Sequence, residues 1–164
     1  MKTPGVVVSA TIVLALVGYL AYPLFASEET RIRWVLEDST ESFNSTYLAG
    51  CLEGFADDYQ DETLAELDRE LLTQALRVAF MREIDQQTKE FQMRVLMPEE
   101  ELQILVADAE DQATAEFRLH LEKRLDEEWR PTWELQVTAK LAKVEGDWRI
   151  RSSSHQTLFG TPPK

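Results

Sequence analysis

Residues 5–26 form an apolar run without one charged side chain, and this run restricts what the start of the chain can become. As an α-helix it extends about 33 Å at ~1.5 Å per residue, which is enough to cross a hydrocarbon core of roughly 30 Å. The sequence therefore predicts a transmembrane helix at 5–26 behind a short tail at 1–4. A folded domain is expected at 27–160, followed by a C-terminal tail at 161–164.

The charges beside the apolar run predict its orientation. Lys2 and the terminal amine precede the run, and a long folded domain follows it. This favours a signal anchor with a cytoplasmic N-terminus and an extracytoplasmic domain, which is periplasmic in a Gram-negative bacterium. Cleavage of a signal peptide after Ala26 is the alternative. Leu24 is large for the position three residues before that cut, and the apolar core exceeds the roughly 7–15 residues of a usual signal peptide.

The chain is strongly acidic, with a formal net charge of −13. Such a surface repels phosphate backbones, so nucleic acid is not an expected partner. The expected partners are the membrane, through the single N-terminal helix, and a membrane protein. His120 and His155 lie far apart without metal-ligand spacing, and the acidic runs lack the pattern of a calcium loop, so we expect neither metal nor cofactor. Cys51 is the only cysteine, which excludes an intrachain disulfide.

Three segments repeat apolar residues at helical spacing. The first lies between Glu28 and Asn44. The second is predicted to follow a cap at Asn44 or Ser45 and to end near Asp57 and Asp58, and the third begins between residues 64 and 68. Their apolar stripes contain Ile32, Val35, Leu36, Ser39 and Phe43; then Leu48, Cys51, Leu52 and Phe55; and then Leu67, Leu71, Leu72, Ala75, Leu76 and Phe80.

After residue 81 the apolar period changes from helical to alternating, which predicts strands. Five are expected, near 91–97, 102–107, 115–122, 133–141 and 148–157, and a hairpin turn at Val144-Glu145-Gly146-Asp147 joins the last two. One face of this antiparallel sheet is apolar and the other is exposed to solvent. The predicted class is therefore α+β, with three helices that precede the strands and cover one face of the sheet.

Residues 42–59, which end in Phe55-Ala56-Asp57-Asp58-Tyr59, resemble the opening of the nuclear transport factor 2-like superfamily, which includes the SnoaL-like cyclases and the ketosteroid isomerases. The terminal hairpin at 143–150 is similar to the closing strands of that superfamily. The resemblance implies a cone, in which a strongly bent sheet wraps around helices and leaves a pocket between them. It also implies that the outer face of the sheet pairs two subunits, so a homodimer is expected on this ground.

Enzymes of the superfamily take a proton with a carboxylate or a histidine inside the cone. The candidates for such a base are Asp57, Asp58 and His155, and the resemblance also places a base in the segment 59–63, which contains Asp61 and Glu62. Asp57 and Asp58 are expected instead to end the second helix, and Asp61 and Glu62 to enter the third helix as charges favourable to its dipole. We therefore assign no catalytic residue.

Strand alternation predicts which side chains face the cone. If the parity of Trp148 and Ile150 continues, Ser152 and Ser154 point inward and His155 outward, although a bulge would break this parity. The other inward positions are almost entirely apolar, which is typical of a core, with a ligand pocket as the alternative. The predicted pocket-lining positions are Phe91, Met93, Val95, Phe117, Leu119, Trp133, Leu135, Val137, Trp148 and Ile150.

These patterns favour a membrane-anchored, extracytoplasmic domain with a non-catalytic binding or scaffolding role in a membrane-associated assembly. An exported lyase or isomerase that acts on a small hydrophobic ligand in the cone is one alternative. A carrier that holds such a ligand is the other. An inward carboxylate or histidine would distinguish the enzyme from the carrier, and the sequence alone identifies no such residue.

Overall fold

The computed structural model describes residues 26–162. Apart from Ala26, the transmembrane helix predicted at 5–26 lies outside these residues, as does the end of the C-terminal tail. No helix within 26–162 is long and apolar enough to cross a membrane.

Two helices open the domain, α1 at Glu28–Asn44 and α2 at Leu48–Glu53. Ser27 begins α1, because its side chain accepts a hydrogen bond from a backbone N–H in the first turn. The stripe predicted for this helix is the face that packs inward, and Ile32 and Leu36 on it are buried. The first predicted helix is therefore present at the expected place.

The segment after α2 is a strand, where the sequence predicted the end of a helix. Residues Phe55–Asp61 form β1. The predicted cap at Asn44 or Ser45 is also wrong, since Tyr47 precedes α2 and makes no side-chain cap hydrogen bond. The pattern misled because Phe55 continues the apolar spacing of α2, while the paired aspartates after it are uncommon in strands.

A third helix, α3, spans Arg69–Arg82. Asp68 caps it, because the carboxylate accepts a hydrogen bond from Leu71 N at 2.9 Å. This helix follows β1, so the prediction that all three helices precede the strands is wrong.

Six strands form one curved sheet in the order β1, β6, β5, β4, β2, and β3 also pairs with β4. The pairs among β2 to β6 are antiparallel, as predicted. However, β1 runs parallel to β6, so the sheet is mixed and the prediction of a purely antiparallel sheet is wrong. The other strands are β2 at Met93–Leu96, β3 at Gln103–Val106, β4 at Gln112–Leu125, β5 at Glu128–Val144 and β6 at Asp147–Gly160.

The three long strands curl around α1 and α3. Register shifts along the β4–β5 and β5–β6 pairs mark bulges, which bend strands and increase their twist. Glu145 and Gly146 both have positive φ, as the tight turn of the predicted hairpin requires. The buried core fills the concave side and contains Ile32, Leu36, Tyr59, Leu102, Ala113, Ala115, Phe117, Val137, Ala139, Leu141, Trp148 and Ile150.

Two polar side chains, one at each end of the helix, fix α1 against the sheet. At its start, Glu28 Oε2 accepts hydrogen bonds from Trp148 Nε1 at 2.6 Å and from Lys143 Nζ at 3.1 Å. At its end, Asn44 acts like a strand partner of β2: its Nδ2 donates to Val95 O at 2.9 Å, and its Oδ1 accepts from Val95 N at 2.7 Å. The helix that forms one wall of the cone is therefore held by both of its ends.

Replacing Asn44 tests this attachment. We expect Asn44→Ala to lower the free energy of unfolding by about 1–2 kcal/mol, because two hydrogen bonds to the edge of β2 are lost together. Chemical denaturation measures the change. Ser45→Ala is the matched control, since the Ser45 hydroxyl bonds only carbonyls of its own helix, and its effect should stay within about 0.5 kcal/mol. Equal effects of the two variants would contradict the assignment.

Candidate functional site

An apolar pocket of about 240 Å³ lies between α1, α3 and the concave face of the sheet. The helices contribute more than half of its wall, which the strand pattern alone did not indicate. It is lined by Leu36, Ser39, Thr40, Phe43, Cys51, Phe55, Leu72, Leu76, Val95, Met97, Phe117, Leu119 and Ile150.

The pocket wall offers a ligand almost no polar group. The Ser39 hydroxyl donates to Val35 O at 2.8 Å and the Thr40 hydroxyl to Leu36 O at 2.9 Å, so both bond their own helix. Burial raises the pKa of the Cys51 thiol to about 11, which keeps it uncharged at neutral pH. The wall is therefore suited to an uncharged, apolar occupant.

The ten inward positions predicted from strand alternation lie in different surroundings. Val95, Phe117, Leu119 and Ile150 line the pocket. The other six do not line it. Met93, Val137 and Trp148 are buried in the core, and Leu135 is half-buried against it. Phe91 packs on Phe43 and Phe80, and Trp133 Nε1 donates to Thr157 Oγ1.

A polar cluster of Tyr59, Asp61, Ser153 and His155 lies beside the core, where β1 pairs with β6. Ser153 Oγ donates to Asp61 Oδ2 at 3.1 Å and lies 2.7 Å from Tyr59 Oη. Either hydroxyl can donate in the shorter bond, because Tyr59 Oη also lies 3.5 Å from Asp61 Oδ2 and can donate there instead. His155 Nδ1 is 3.7 Å from Asp61 Oδ2, beyond direct hydrogen-bond distance. Three polar side chains thus surround one carboxylate oxygen of the fourth member, Asp61.

His155 faces the concave side, so the orientation obtained by continuing strand parity is wrong. On β5, Lys140 pairs with Ser152 and Leu141 with Ile150, which leaves Arg151 as an extra, unpaired residue. This bulge reverses the parity after it, as a bulge does. Ser153 and His155 consequently sit opposite the buried Ala139 and Val137, while Ser152 turns outward and donates to Glu62 Oε1 at 2.6 Å.

Asp61 is the candidate site residue that sequence reasoning assigned to the wrong element. It was predicted to enter the third helix, but it is the last residue of β1 and only 3% exposed. Its Oδ1 accepts hydrogen bonds from Thr63 N at 2.8 Å and Leu64 N at 2.7 Å, so the carboxylate also holds the loop that leads to α3. The available signal was the alternation of the strand: Tyr59 and Asp61 point inward, and Gln60 between them points outward.

Asp57 and Asp58 both lie on the outside of β1, where the strand is irregular. Asp57 is fully exposed and lies 3.5 Å from Arg69 Nη1. Asp58 forms an ion pair with Arg151, which lowers the pKa of the Asp58 carboxyl. Neither aspartate belongs to the pocket or to the polar cluster.

The pocket and the polar cluster are neighbours, separated by one pair of aromatic rings. The Phe55 ring forms part of the pocket wall and meets the Tyr59 ring edge to face, with centroids 4.8 Å apart. Burial, and to a lesser degree the charge of Asp61, raises the pKa of the Tyr59 phenol, whereas its bond with Ser153 acts in the opposite direction. The phenol therefore stays protonated at neutral pH and serves as a donor.

The remaining histidine lies on the outer face of the sheet. His120 Nε2 is 3.3 Å from Glu101 Oε2, and Nδ1 is 3.4 Å from Glu134 Oε1. Because the two carboxylates approach opposite sides of the ring, they do not converge on one point. Within residues 26–162, no group of three or more His, Cys, Asp or Glu side chains is arranged to hold a metal ion.

Neither a protein-family model nor a curated protein matches the sequence. Solved structures do share its fold. A nuclear transport factor 2-like protein with a cystatin-like fold from Novosphingobium aromaticivorans has a TM-score of 0.65 at 11% identity, covering 98% of this chain and 94% of that one. A protein of unknown function with a cystatin-like fold from Nostoc punctiforme has a TM-score of 0.58 at 16% identity, covering 79% and 90%.

A candidate scytalone dehydratase from Novosphingobium aromaticivorans has a TM-score of 0.61 at 13% identity, covering 80% of this chain and 85% of that one. Identities this low show the fold alone. The domain therefore has the nuclear transport factor 2-like, cystatin-like fold that the sequence resemblance implied, and its activity has to be argued from its own residues.

Proposed function

We propose that this cone-fold domain is held at a membrane by the segment 5–26 and binds a small, uncharged, apolar molecule without changing it chemically. The observation that carries the proposal is the pocket of about 240 Å³, whose wall has no charged side chain and no free hydroxyl. Pockets for polar ligands need a few convergent polar groups to orient them, and this wall provides none.

The pocket volume limits the size of the ligand. An empty apolar cavity of roughly 150 Å³ is enough to bind benzene, and sites for drug-sized molecules begin at about 300 Å³. A volume of about 240 Å³ therefore suits one ring, two small fused rings or a short branched chain. An ionised group on the ligand would lose its hydration without gaining a partner, so charged analogues should not bind.

The proposed membrane attachment suits such a ligand. Apolar molecules concentrate in the hydrocarbon core of a bilayer because transfer out of water is favourable. The domain helix α1 begins at Glu28, only two residues after the end of the proposed anchor. The pocket would then lie close to the bilayer, which would supply its ligand. The domain would lie outside the cytoplasm, since Lys2 and the terminal amine favour a cytoplasmic N-terminus.

Membrane attachment gives a direct test. We expect the full chain to remain in the membrane pellet after alkaline carbonate extraction, at its full mass of 18.9 kDa, because an apolar segment of this length inserts effectively irreversibly. Mass spectrometry of the pellet and the supernatant shows in which fraction the chain lies and what its mass is. A soluble product that begins at residue 27 would show instead that the segment is a cleaved signal peptide.

Toluene tests the pocket. The detergent-solubilised full chain is equilibrated with toluene vapour, which fixes the chemical activity of the probe in water and detergent alike. At about ten times the dissociation constant, binding to the folded state should raise the melting temperature by about 5 °C. Leu76→Trp places an indole in the pocket and should remove most of this increase. Val78→Trp, on the outer face of the same helix, should keep it, because Val78 does not line the pocket.

A toluene shift of equal size in both tryptophan variants would show binding elsewhere and overturn the proposed pocket. The absence of a shift in the wild-type chain would do the same. Benzoate serves as the charged analogue and should leave the melting temperature unchanged, since the wall offers no cation to pair with it.

A lyase or isomerase is the second candidate function, and one observation favours it. His155 and Asp61 lie 3.7 Å apart on the concave side, and His155 keeps about a fifth of its side chain exposed. A histidine beside a buried carboxylate is a common general base. Asp61 also accepts several hydrogen bonds within the fold, however, which accounts for its burial without catalysis.

Proton exchange separates the two functions. Under the binding proposal, the chain should not accelerate exchange of the α-protons of cyclopentanone in D₂O beyond the rate given by buffer, as followed by proton NMR. An acceleration that disappears in His155→Gln but persists in His120→Gln would establish the acid–base function instead. His120 is the matched control, because it lies between carboxylates on the opposite face of the sheet.

A further inference from the structure

We infer that α3 is the movable wall of the pocket, that its first three turns (69–79) swing outward about Phe80, and that the contacts around Asp61 hold it closed. This inference rests on the proposed function for its purpose, which is ligand entry, but the movement itself is independent of any ligand.

The first observation is that α3 forms a single layer between the pocket and solvent. Leu72 and Leu76 point into the pocket. On the opposite face, Leu71, Val78 and Met81 are exposed by 42, 51 and 75%. Within the part of the chain that the structure describes, nothing covers this outer face. An outward movement of the helix therefore meets no second layer of protein.

The middle of α3 is held weakly. The side-chain hydrogen bonds of residues 70–79 described by the structure stay within the helix, from Gln74 to Glu70 and from Thr73 to Arg69 O. Leu72 packs against the core near the start of the helix, but Leu76 in its middle faces the pocket, and contact across an empty space contributes little dispersion energy. The attachment of α3 therefore depends on its two ends.

The C-terminal end of α3 is fixed by aromatic packing and by an ion pair whose carboxylate is buried. The buried Phe80 ring lies between Phe43 and Phe91, with both centroid distances 5.5 Å. Three residues later, Glu83 is also buried and its Oε2 lies 2.7 Å from Lys123 Nζ. Withdrawing a buried aromatic ring and leaving the buried Glu83 carboxylate without its partner are both costly, so this end serves as the hinge.

The N-terminal end is fixed mainly by polar contacts, to which Leu72 adds apolar packing. Arg69 lies 3.5 Å from Asp57 Oδ1 and donates to Leu52 O at 3.4 Å. Asp61 N donates to Leu67 O at 2.8 Å, and Asp61 Oδ1 accepts from Thr63 N and Leu64 N. Beyond them, Asp68 forms an isolated bridge with Gln60 and caps the helix. Water can replace such bonds at the edge of a sheet at modest net cost, so this end opens first.

A ligand should favour the closed position. Leu72 and Leu76 contact a pocket occupant only while α3 is closed, so an occupant shifts the equilibrium toward closure by its differential affinity for the two states. Opening would then limit both entry and release, and the contacts of Asp61 would control the rate of ligand exchange.

The only cysteine of the chain reports the movement. Cys51 lies on α2, lines the pocket and is buried. Its modification by 4,4′-dithiodipyridine, an uncharged reagent, is followed in the detergent-solubilised full chain at one pH. Asp61→Asn should accelerate modification by at least about tenfold, since its buried contacts with the loop are weakened.

Asp85→Asn is the matched control at the hinge end. Asp85 Oδ1 also accepts two backbone hydrogen bonds, from Gln87 N at 2.8 Å and Thr88 N at 2.7 Å. The rate of Cys51 modification in Asp85→Asn should stay within about twofold of the wild-type rate. Similar rates in both variants, or a faster reaction in Asp85→Asn, would overturn the inferred hinge. Asn44→Ala lowers global stability by removing bonds to β2, away from the N-terminal end of α3. Modification of Asn44→Ala as fast as that of Asp61→Asn would indicate global unfolding and overturn the inference.

Two further arms keep the result interpretable. If near-UV circular dichroism shows that Asp61→Asn does not fold, Asp68→Ala replaces it; loss of this cap should accelerate modification about fivefold, and an unchanged rate would count against the inference. Toluene vapour should slow modification of the wild-type chain. If it does not, while the variants still differ as expected, α3 opens but the proposed ligand pocket is wrong.

Discussion

The set of side chains on the concave face depends on Arg151, a residue of β6 that has no partner residue on β5. Side chains of a strand alternate between two faces, and an added residue moves everything after it to the other face. Before Arg151, β6 supplies Trp148 and Ile150 to the core; after it, β6 supplies Ser153 and His155. A regular strand would have buried a different set of side chains. The polar cluster beside the pocket exists because β6 is irregular at this position.

The parallel pairing of β1 with β6 completes this arrangement. It sets Asp61 beside Ser153 in register, so the serine and the carboxylate meet across two neighbouring strands. The same carboxylate holds the loop that leads into α3, and α3 closes the pocket. One buried charge thus links the sheet edge to the helical wall. Its several hydrogen bonds compensate for the hydration that the ionised group loses on burial.

Much of this fold was predictable from the sequence, because its longest elements have clear periods. The stripe around Ile32 and Leu36 identified α1, and the alternation around Phe117 and Val137 identified the long strands. In contrast, β1 was missed because its aspartates and glutamine are poor strand formers and only seven residues are involved. Parallel pairing to the last strand is a contact between distant parts of the chain, which a local pattern does not encode.

The pocket was predictable only on its sheet side. Alternation indicated Phe117 and Leu119, but no pattern shows whether a helix fills the space above a sheet or leaves it empty, because that depends on how closely the layers approach. The polar cluster was predictable in part. His155 was recognised as a residue whose orientation a bulge would reverse, whereas Asp61 required prior recognition of β1.

The position of Cys51 has a consequence for the redox chemistry of the chain. Thiol exchange and oxidation proceed through the thiolate, and they require access for the attacking partner. Cys51 is buried and its pKa is raised to about 11, so it holds its proton and is shielded from other proteins. While α3 is closed, a domain with this one cysteine can therefore reside in an oxidising compartment as a free thiol that forms disulfide-linked dimers or sulfenic acid only slowly.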